Sequence, residues 1–312
     1  MLAPIVLFVY NRLDHTKKTI ESLKKNVLAN ESDLYIFSDA AKYDSEFKKV
    51  EEVRDYIDKI DGFKSVKIIK AENNRGLANS VINGVSKIID TYGKVIVLED
   101  DLITSKFFLK YMNKTLDVYE KRKDIWSISG YTPNIKIDEN YAYDVYLTYR
   151  GCSWGWATWK DRWINIDWNI EDYDSFRYNS LLRKKFNISG TDMAPMLDDQ
   201  MNGRINSWAI RWCYNQFKEN KTTVYPIKSY INNIGTDLSG THSSSTKKYY
   251  VSLYENELKI NYNVKVNEDI IKNFRKIYNL KLSGYLAIVI KKIGLYRPTR
   301  RLRNRIIVFI KK

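Results

Sequence analysis

The chain has 312 residues, 44% of them hydrophobic, which is enough to build a core and excludes wholesale disorder. Thirteen glycines, five prolines and two cysteines exclude a collagen-like or low-complexity chain and a disulfide framework, and no CxxC pair supports a zinc site. The formal charge is +15, of which the stretch 281–312 supplies ten, with no acidic residue; the basic excess is therefore a C-terminal feature that points to an anionic partner.

In chain order, residues 4–10 form a short, continuous apolar run bounded by polar residues, which predicts a buried parallel strand. Residues 16–28 carry Ile20, Leu23, Val27 and Leu28 on one helical face. Strands are then predicted at 33–38, 66–70, 95–98 and 126–129, and helices at 45–60, 76–91 and 107–119. This alternation predicts an α/β fold with a parallel sheet covered on both faces. The middle, 131–245, is less regular and aromatic, with helices expected at 176–186 and 208–217. The tail carries Leu282, Leu286, Ile290 and Ile293, then Leu302, Ile306 and Phe309, at helical spacing around Pro298. Segment 2–10 lacks the basic flank of a secretory leader, and no apolar stretch reaches the length of a membrane span. The expectation is a cytoplasmic protein, peripheral on the inner face of the cell membrane.

Ligands of open α/β sheets bind beyond the carboxyl ends of the strands. The polar clusters fall there: Asn11-Arg12, Ser38-Asp39, Asn73-Asn74-Arg75 and Glu99-Asp100-Asp101. Three adjacent carboxylates repel one another, and a hard divalent cation bridging to a diphosphate relieves that repulsion. The plain alternative is a solvated acidic turn. Arg12 and Asp39 suit a nucleotide, since a guanidinium can face a base or phosphate and a carboxylate can accept from a base imide. There is no GxxxxGK[ST] loop, GxGxxG turn or HExxH. Segment 149–163 holds Trp154, Trp156, Trp159 and Trp163; their flat faces suit sugar stacking or simply a core. Gly155, between two tryptophans, points to a close backbone approach.

Together, Asn11-Arg12, Ser38-Asp39, Glu99-Asp100-Asp101, Ser129-Gly130 and Trp154-Gly155-Trp156 resemble GT-A glycosyltransferases. The likeness is to bacterial family 2 enzymes related to the animal N-acetylglucosaminyltransferase I, and it covers roughly residues 3–245. It implies a Rossmann-like mixed sheet, with 1–130 the nucleotide-sugar-binding half, 131–245 the acceptor-binding and catalytic half, and 246–312 a helical basic extension. It implies a metal-dependent, inverting hexosyl- or N-acetylhexosaminyltransferase using a UDP-sugar and Mn2+ or Mg2+. By that pattern Arg12, Asp39 and Arg75 hold the nucleotide, Glu99 and Asp100 lie by the ribose and diphosphate, Asp101 ligates the metal and His242 joins it.

The family's base is an aspartate before a helix in the second half, where this chain has Asn206 and Ser207. The nearest carboxylates are Asp199, the first choice, then Asp198 and Asp237. The acceptor class expected is a glycan hydroxyl, with a lipid-linked glycan of bacterial surface polysaccharide as candidate. The alternatives are a sugar nucleotidyltransferase and a non-catalytic basic protein binding membrane or nucleic acid. The first is disfavoured because no glycine-rich loop follows strand one. Nucleic acid is disfavoured because the aromatics and the tail charge are separate.

Overall fold

The computed structural model describes residues 1–235 and 248–292. Its elements run β1 (Ile5–Val9), α1 (Leu13–Lys24), β2 (Asp33–Ser38), α2 (Phe47–Ile57), β3 (Ser65–Lys70), α3 (Leu77–Tyr92), β4 (Lys94–Glu99), β5 (Leu102–Thr104), α4 (Phe108–Tyr119) and β6 (Ile125–Ser129). The second half follows with β7 (Val145–Thr148), β8 (Trp156–Trp159), α5 (Lys160–Trp163), α6 (Tyr173–Arg177), α7 (Ser180–Phe186), α8 (Met193–Met201), α9 (Trp208–Lys218), β9 (Thr222–Pro226), β10 (Ile231–Asn233), α10 (Glu268–Tyr278) and α11 (Leu282–Lys292).

Eight strands form one sheet in the order β3-β2-β1-β4-β8-β6-β9-β7, and β5 pairs with β10 in a separate antiparallel ribbon. Strands β3, β2, β1 and β4 are parallel, as their apolar runs predicted. The sheet is mixed rather than all parallel, because β8 lies antiparallel between β4 and β6. This is the helix-flanked mixed sheet that the GT-A resemblance implied. β1 is buried along its whole length, and its register places Val9 beside Ser38 and Phe8 beside Glu99. That register brings the exits of three strands to one edge.

Both faces are covered, by different chemistry. Aliphatic side chains of α1, α2 and α4 (Ile20, Leu23, Val53, Ile57, Leu109, Met112) pack on one face. Val81, Val85 and Ile88 of α3 share the other with Trp156, Trp163, Trp208 and Trp212. The Trp156 ring centroid lies 4.4 Å from Trp212 and 5.1 Å from Trp208. Trp156, Trp159 and Trp163 are thus buried core, which settles the sugar-stacking alternative against these three. Gly155 (φ +59°) does serve a close approach: a Cβ there would lie 2.7 Å from Ile231.

After the β5–β10 ribbon, the stretch 249–264 straps the molecule without regular structure. Tyrosine hydroxyls and an arginine capture its carbonyls: Tyr131 bonds Tyr249, Tyr230 bonds Asn256, Tyr119 bonds Asn261, and Arg122 bonds Tyr262 and Val264. Phe274 of α10 then packs on Tyr146 and Tyr225. No helix among the described residues is long and apolar enough to cross a membrane. His242, Asp237, Ile293, Leu302, Ile306 and Phe309 lie outside the described residues.

Candidate functional site

The turn after β1 is tied down first. Glu46 accepts from the Tyr10 hydroxyl at 2.8 Å and from Asn11 Nδ2 at 3.0 Å; burial, reinforced by Glu46, pushes Tyr10 up to about 12. Arg12 follows and enters the carboxyl end of the sheet. Its Nη2 bonds both Asp100 Oδ1 and Asp101 Oδ2, the latter at 2.9 Å. Arg12 Nη1 is buried and has no hydrogen-bond partner among the described residues. Burial works against the Arg12 charge, but Asp100 and Asp101 outweigh it and hold its pKa above the usual guanidinium value.

The acidic turn is anchored through its backbone. Thr19 of α1 donates to the Asp100 carbonyl at 2.8 Å and accepts from Leu102 N at 3.1 Å. The Asp101 carbonyl accepts from Ile234 N at 2.9 Å. Gly235 then passes so close that a Cβ on it would sit 2.1 Å from Asp101 Oδ2. A side chain at 235 would force the carboxylate aside, which is a sufficient reason for glycine there.

One guanidinium therefore faces three acids. Burial, reinforced by Asp101 and Asp100 and opposed by Arg12, pushes Glu99 up to about 8. Burial also raises Asp100, although Arg12 pulls the other way. His15, one turn beyond Arg12 on α1, adds a neighbouring charge that favours ionised Asp100. The sequence reading missed His15, and its i, i+3 spacing from Arg12 was the signal that could have found it.

Asp39, just past β2, is buried, and its carboxylate is wholly occupied within the protein. It accepts from Ala40 N at 2.9 Å, Arg75 N at 2.9 Å, Gly76 N at 2.8 Å and Asn74 Nδ2 at 3.2 Å. The Arg75 side chain is exposed at the mouth of this corner.

The candidate bases lie on α8. Asp198 is gripped by Arg183 at 2.6 and 2.8 Å and by the Tyr173 hydroxyl at 3.0 Å. Asp199 meets Arg204 Nη1 at 3.3 Å. Ser207 is the N-cap of α9 and accepts from Ile210 N at 3.3 Å, while Asn206 accepts from Arg211 at 3.3 Å. No hydrogen bond or ion pair joins α8 to the Glu99–Asp101 turn among the described residues.

The structure thus brings together Arg12, Glu99, Asp100 and Asp101 and, at the neighbouring strand exit, Asp39 and Arg75. Among the described residues no group of three or more His, Cys, Asp or Glu side chains could by itself hold a metal ion. The donor set still fits Mg2+ or Mn2+. Such ions take one or two carboxylates and draw their remaining ligands from substrate phosphates and water, and the acidic turn carries more negative charge than Arg12 balances.

No family model matches the chain, and no curated protein matches it in sequence. Among solved structures it is loosely similar to the mannosyltransferase PcManGT from Pyrobaculum calidifontis, determined with GDP-Man and Mn2+ (11% identity, TM-score 0.37, covering 52% of this chain and 46% of that one). It is also similar to S. aureus TarS 1-349 in complex with UDP-GlcNAc (12%, 0.39, 74% and 58%). A third is the galactosyltransferase LgtC with donor and acceptor sugar analogs (11%, 0.37, 71% and 72%). The match thus spans less than half of the mannosyltransferase and under two thirds of the TarS fragment. At these identities and TM-scores the neighbours assign no family to this chain.

Proposed function

We propose that the chain is a glycosyltransferase that moves a sugar from a nucleotide-sugar, UDP-linked by the sequence resemblance, to a hydroxyl of a glycan acceptor with inversion. The observation that carries this reading is Arg12, delivered by the exit of β1 onto Asp100 and Asp101 at the exit of β4, with one Arg12 nitrogen buried and, among the described residues, unpartnered. That nitrogen is a donor without an acceptor, and burying it is costly unless an anion or carbonyl completes it. A phosphate or nucleotide oxygen is such an acceptor.

In this reading Arg12 and the corner at 74–76 orient the donor. Asp199 accepts the proton of the attacking acceptor hydroxyl as general base. Asp198 pairs with Arg183 and Tyr173 and Asp199 with Arg204, so either acid has to loosen its pair to act as the base. Asp101 would hold Mn2+ or Mg2+, with His242 the second protein ligand, and the ion would supply counter-charge to the departing nucleoside diphosphate.

The acceptor class we favour is a lipid-linked glycan met at the inner membrane face. What supports this is α11, whose Leu282, Tyr285, Leu286 and Val289 are all exposed and which opens the basic stretch 281–312.

Binding of labelled UDP with and without Mn2+, followed by a donor screen for released nucleoside diphosphate, tests the core reading. UDP binding strengthened by Mn2+ and release from at least one nucleotide-sugar are expected. Absence of nucleoside-diphosphate binding under both conditions would overturn the proposal.

A further inference from the structure

We propose that Asp39 does not read the nucleobase but is a positioning residue, a clip that fastens the exit of β2 to the entry of α3 and so sets Arg75 at the nucleotide site. The inference rests on the transferase reading above for what the site binds. The clip itself rests on geometry alone.

A carboxylate offers about four lone-pair sites. In Asp39 they are taken by four donors: the backbone N–H groups of Ala40, Arg75 and Gly76, and the side-chain amide of Asn74. Arg75 N reaches both oxygens, at 2.9 and 3.2 Å. An imide N–H could bond here only by displacing one of these donors. Asn74 Nδ2 also donates to the Ala40 carbonyl at 2.7 Å, a second staple across the same gap. Gly76 has φ +74°, a conformation that an L side chain resists and that turns two successive N–H groups onto one carboxylate. The chain then enters α3, where Ser80 N returns to the Gly76 carbonyl at 3.0 Å. Every partner of the Asp39 carboxylate thus belongs to the corner, and the side chain that leaves it toward solvent is Arg75.

Asp39→Asn is the informative substitution. It keeps the shape but turns an NH2 toward backbone N–H donors, so the clip opens. Two readouts follow. By hydrogen exchange, the amides of Arg75 and Gly76 should exchange about tenfold faster or more, while the β1–β4 amides keep their protection. By calorimetry, UDP and CDP affinities should both fall about tenfold or more, the scale of a misplaced binding group, with their ratio unchanged. Uracil carries a proton on N3 and cytosine does not, so a base-reading carboxylate must discriminate between them and a clip need not. Arg75→Ala on the Asp39→Asn background should cost less than about twofold further, because positions acting as one unit do not add.

If the UDP:CDP ratio shifts about tenfold while exchange at 75–76 stays unchanged, Asp39 contacts the base and the proposal is overturned. Fully additive losses overturn it as well. If the wild-type chain binds no nucleoside diphosphate, the transferase reading falls and the nucleotide role of Asp39 falls with it; the exchange result still decides whether the clip exists.

Discussion

Two groups of ion pairs in this molecule use the same residue types to opposite ends. In the second half, Arg150 meets Asp192 through two hydrogen bonds of 2.7 and 2.9 Å, with Tyr278 stacked 4.2 Å from its guanidinium, and Arg183 meets Asp198 in the same fork. Each cation is matched by one acid, and both terminal nitrogens of Arg150 are used. At the carboxyl edge of the sheet, Arg12 faces Asp100 and Asp101 with Glu99 behind them, and one of its nitrogens is left over. The matched pairs close; among the described residues the edge stays unbalanced in both charge and hydrogen bonds. Burial and like charge are costs there that stability alone does not repay. The imbalance, rather than the presence of buried charge, is what singles out this edge as the candidate site.

The largest effect should expose this difference directly. Asp101→Asn removes a charge from a repulsive cluster, so stability should stay within about 1 kcal/mol of wild type, while turnover falls about a thousandfold or more. Asp192→Asn should do the reverse. It leaves the Arg150 charge half-buried without its partner and should cost about 3 kcal/mol, with nucleotide affinity retained in the folded protein. Thermal unfolding and single-turnover assays on both variants check this. Equal stability losses would erase the distinction between closed and unbalanced pairs.

A second comparison lies within α8, between two acids one residue apart that meet different arginines. Asp199→Asn should lower turnover about a hundredfold or more, as expected for a lost general base, with donor affinity little changed. Asp198→Asn should instead loosen the Arg183 and Tyr173 contacts and lower the melting temperature, with turnover per folded molecule retained. If Asp198→Asn is the variant that stops turnover, the roles of the neighbours are exchanged.

Much of the first half was legible because fully buried parallel strands write themselves as unbroken apolar runs. Pro4 to Tyr10 and Val95 to Leu98 are such runs, and Arg12, Asp39 and Glu99 to Asp101 follow such strands. The second half hid its strands. β8 reads Trp-Ala-Thr-Trp, and with all four residues buried it shows neither alternation nor an aliphatic run. β5 and β10 are three residues each and exist only through each other. At the site, residue types revealed where Asp39 stands but not what it does, since its partners are mostly backbone N–H groups, which every residue except proline carries. Arg183 as the partner of Asp198 was equally hidden, because their pairing depends on how α7 packs against α8.

The smallest effect concerns the C-terminal stretch, where the sequence sets basic residues without acidic ones. α11 places Leu282, Tyr285, Leu286 and Val289 on its exposed surface, and Leu282 is 77% exposed. The alternative is that the stripe packs against the chain's own catalytic body: Leu282 and Leu286 are exposed, Ile290 is half-buried, and Ile293 lies outside the described residues. Basic residues flank the stripe and no acid interrupts the stretch 281–312. Such a helix suits the boundary of an anionic bilayer, with apolar side chains among the acyl chains and cations at the headgroups. Each Lys or Arg near the surface contributes about 1 kcal/mol on such a membrane and is screened by salt. The full chain should therefore float with phosphatidylserine vesicles at low salt, detach at high salt and ignore neutral vesicles. Leu286→Glu and Val289→Glu, made singly in the full chain, should each weaken vesicle binding about tenfold, since each places a charge where an apolar side chain would insert. Turnover on a soluble acceptor should stay at the wild-type level. If both variants float as the full chain does, the stripe does not enter the bilayer. If turnover falls in parallel with flotation, α11 serves the catalytic body rather than a membrane.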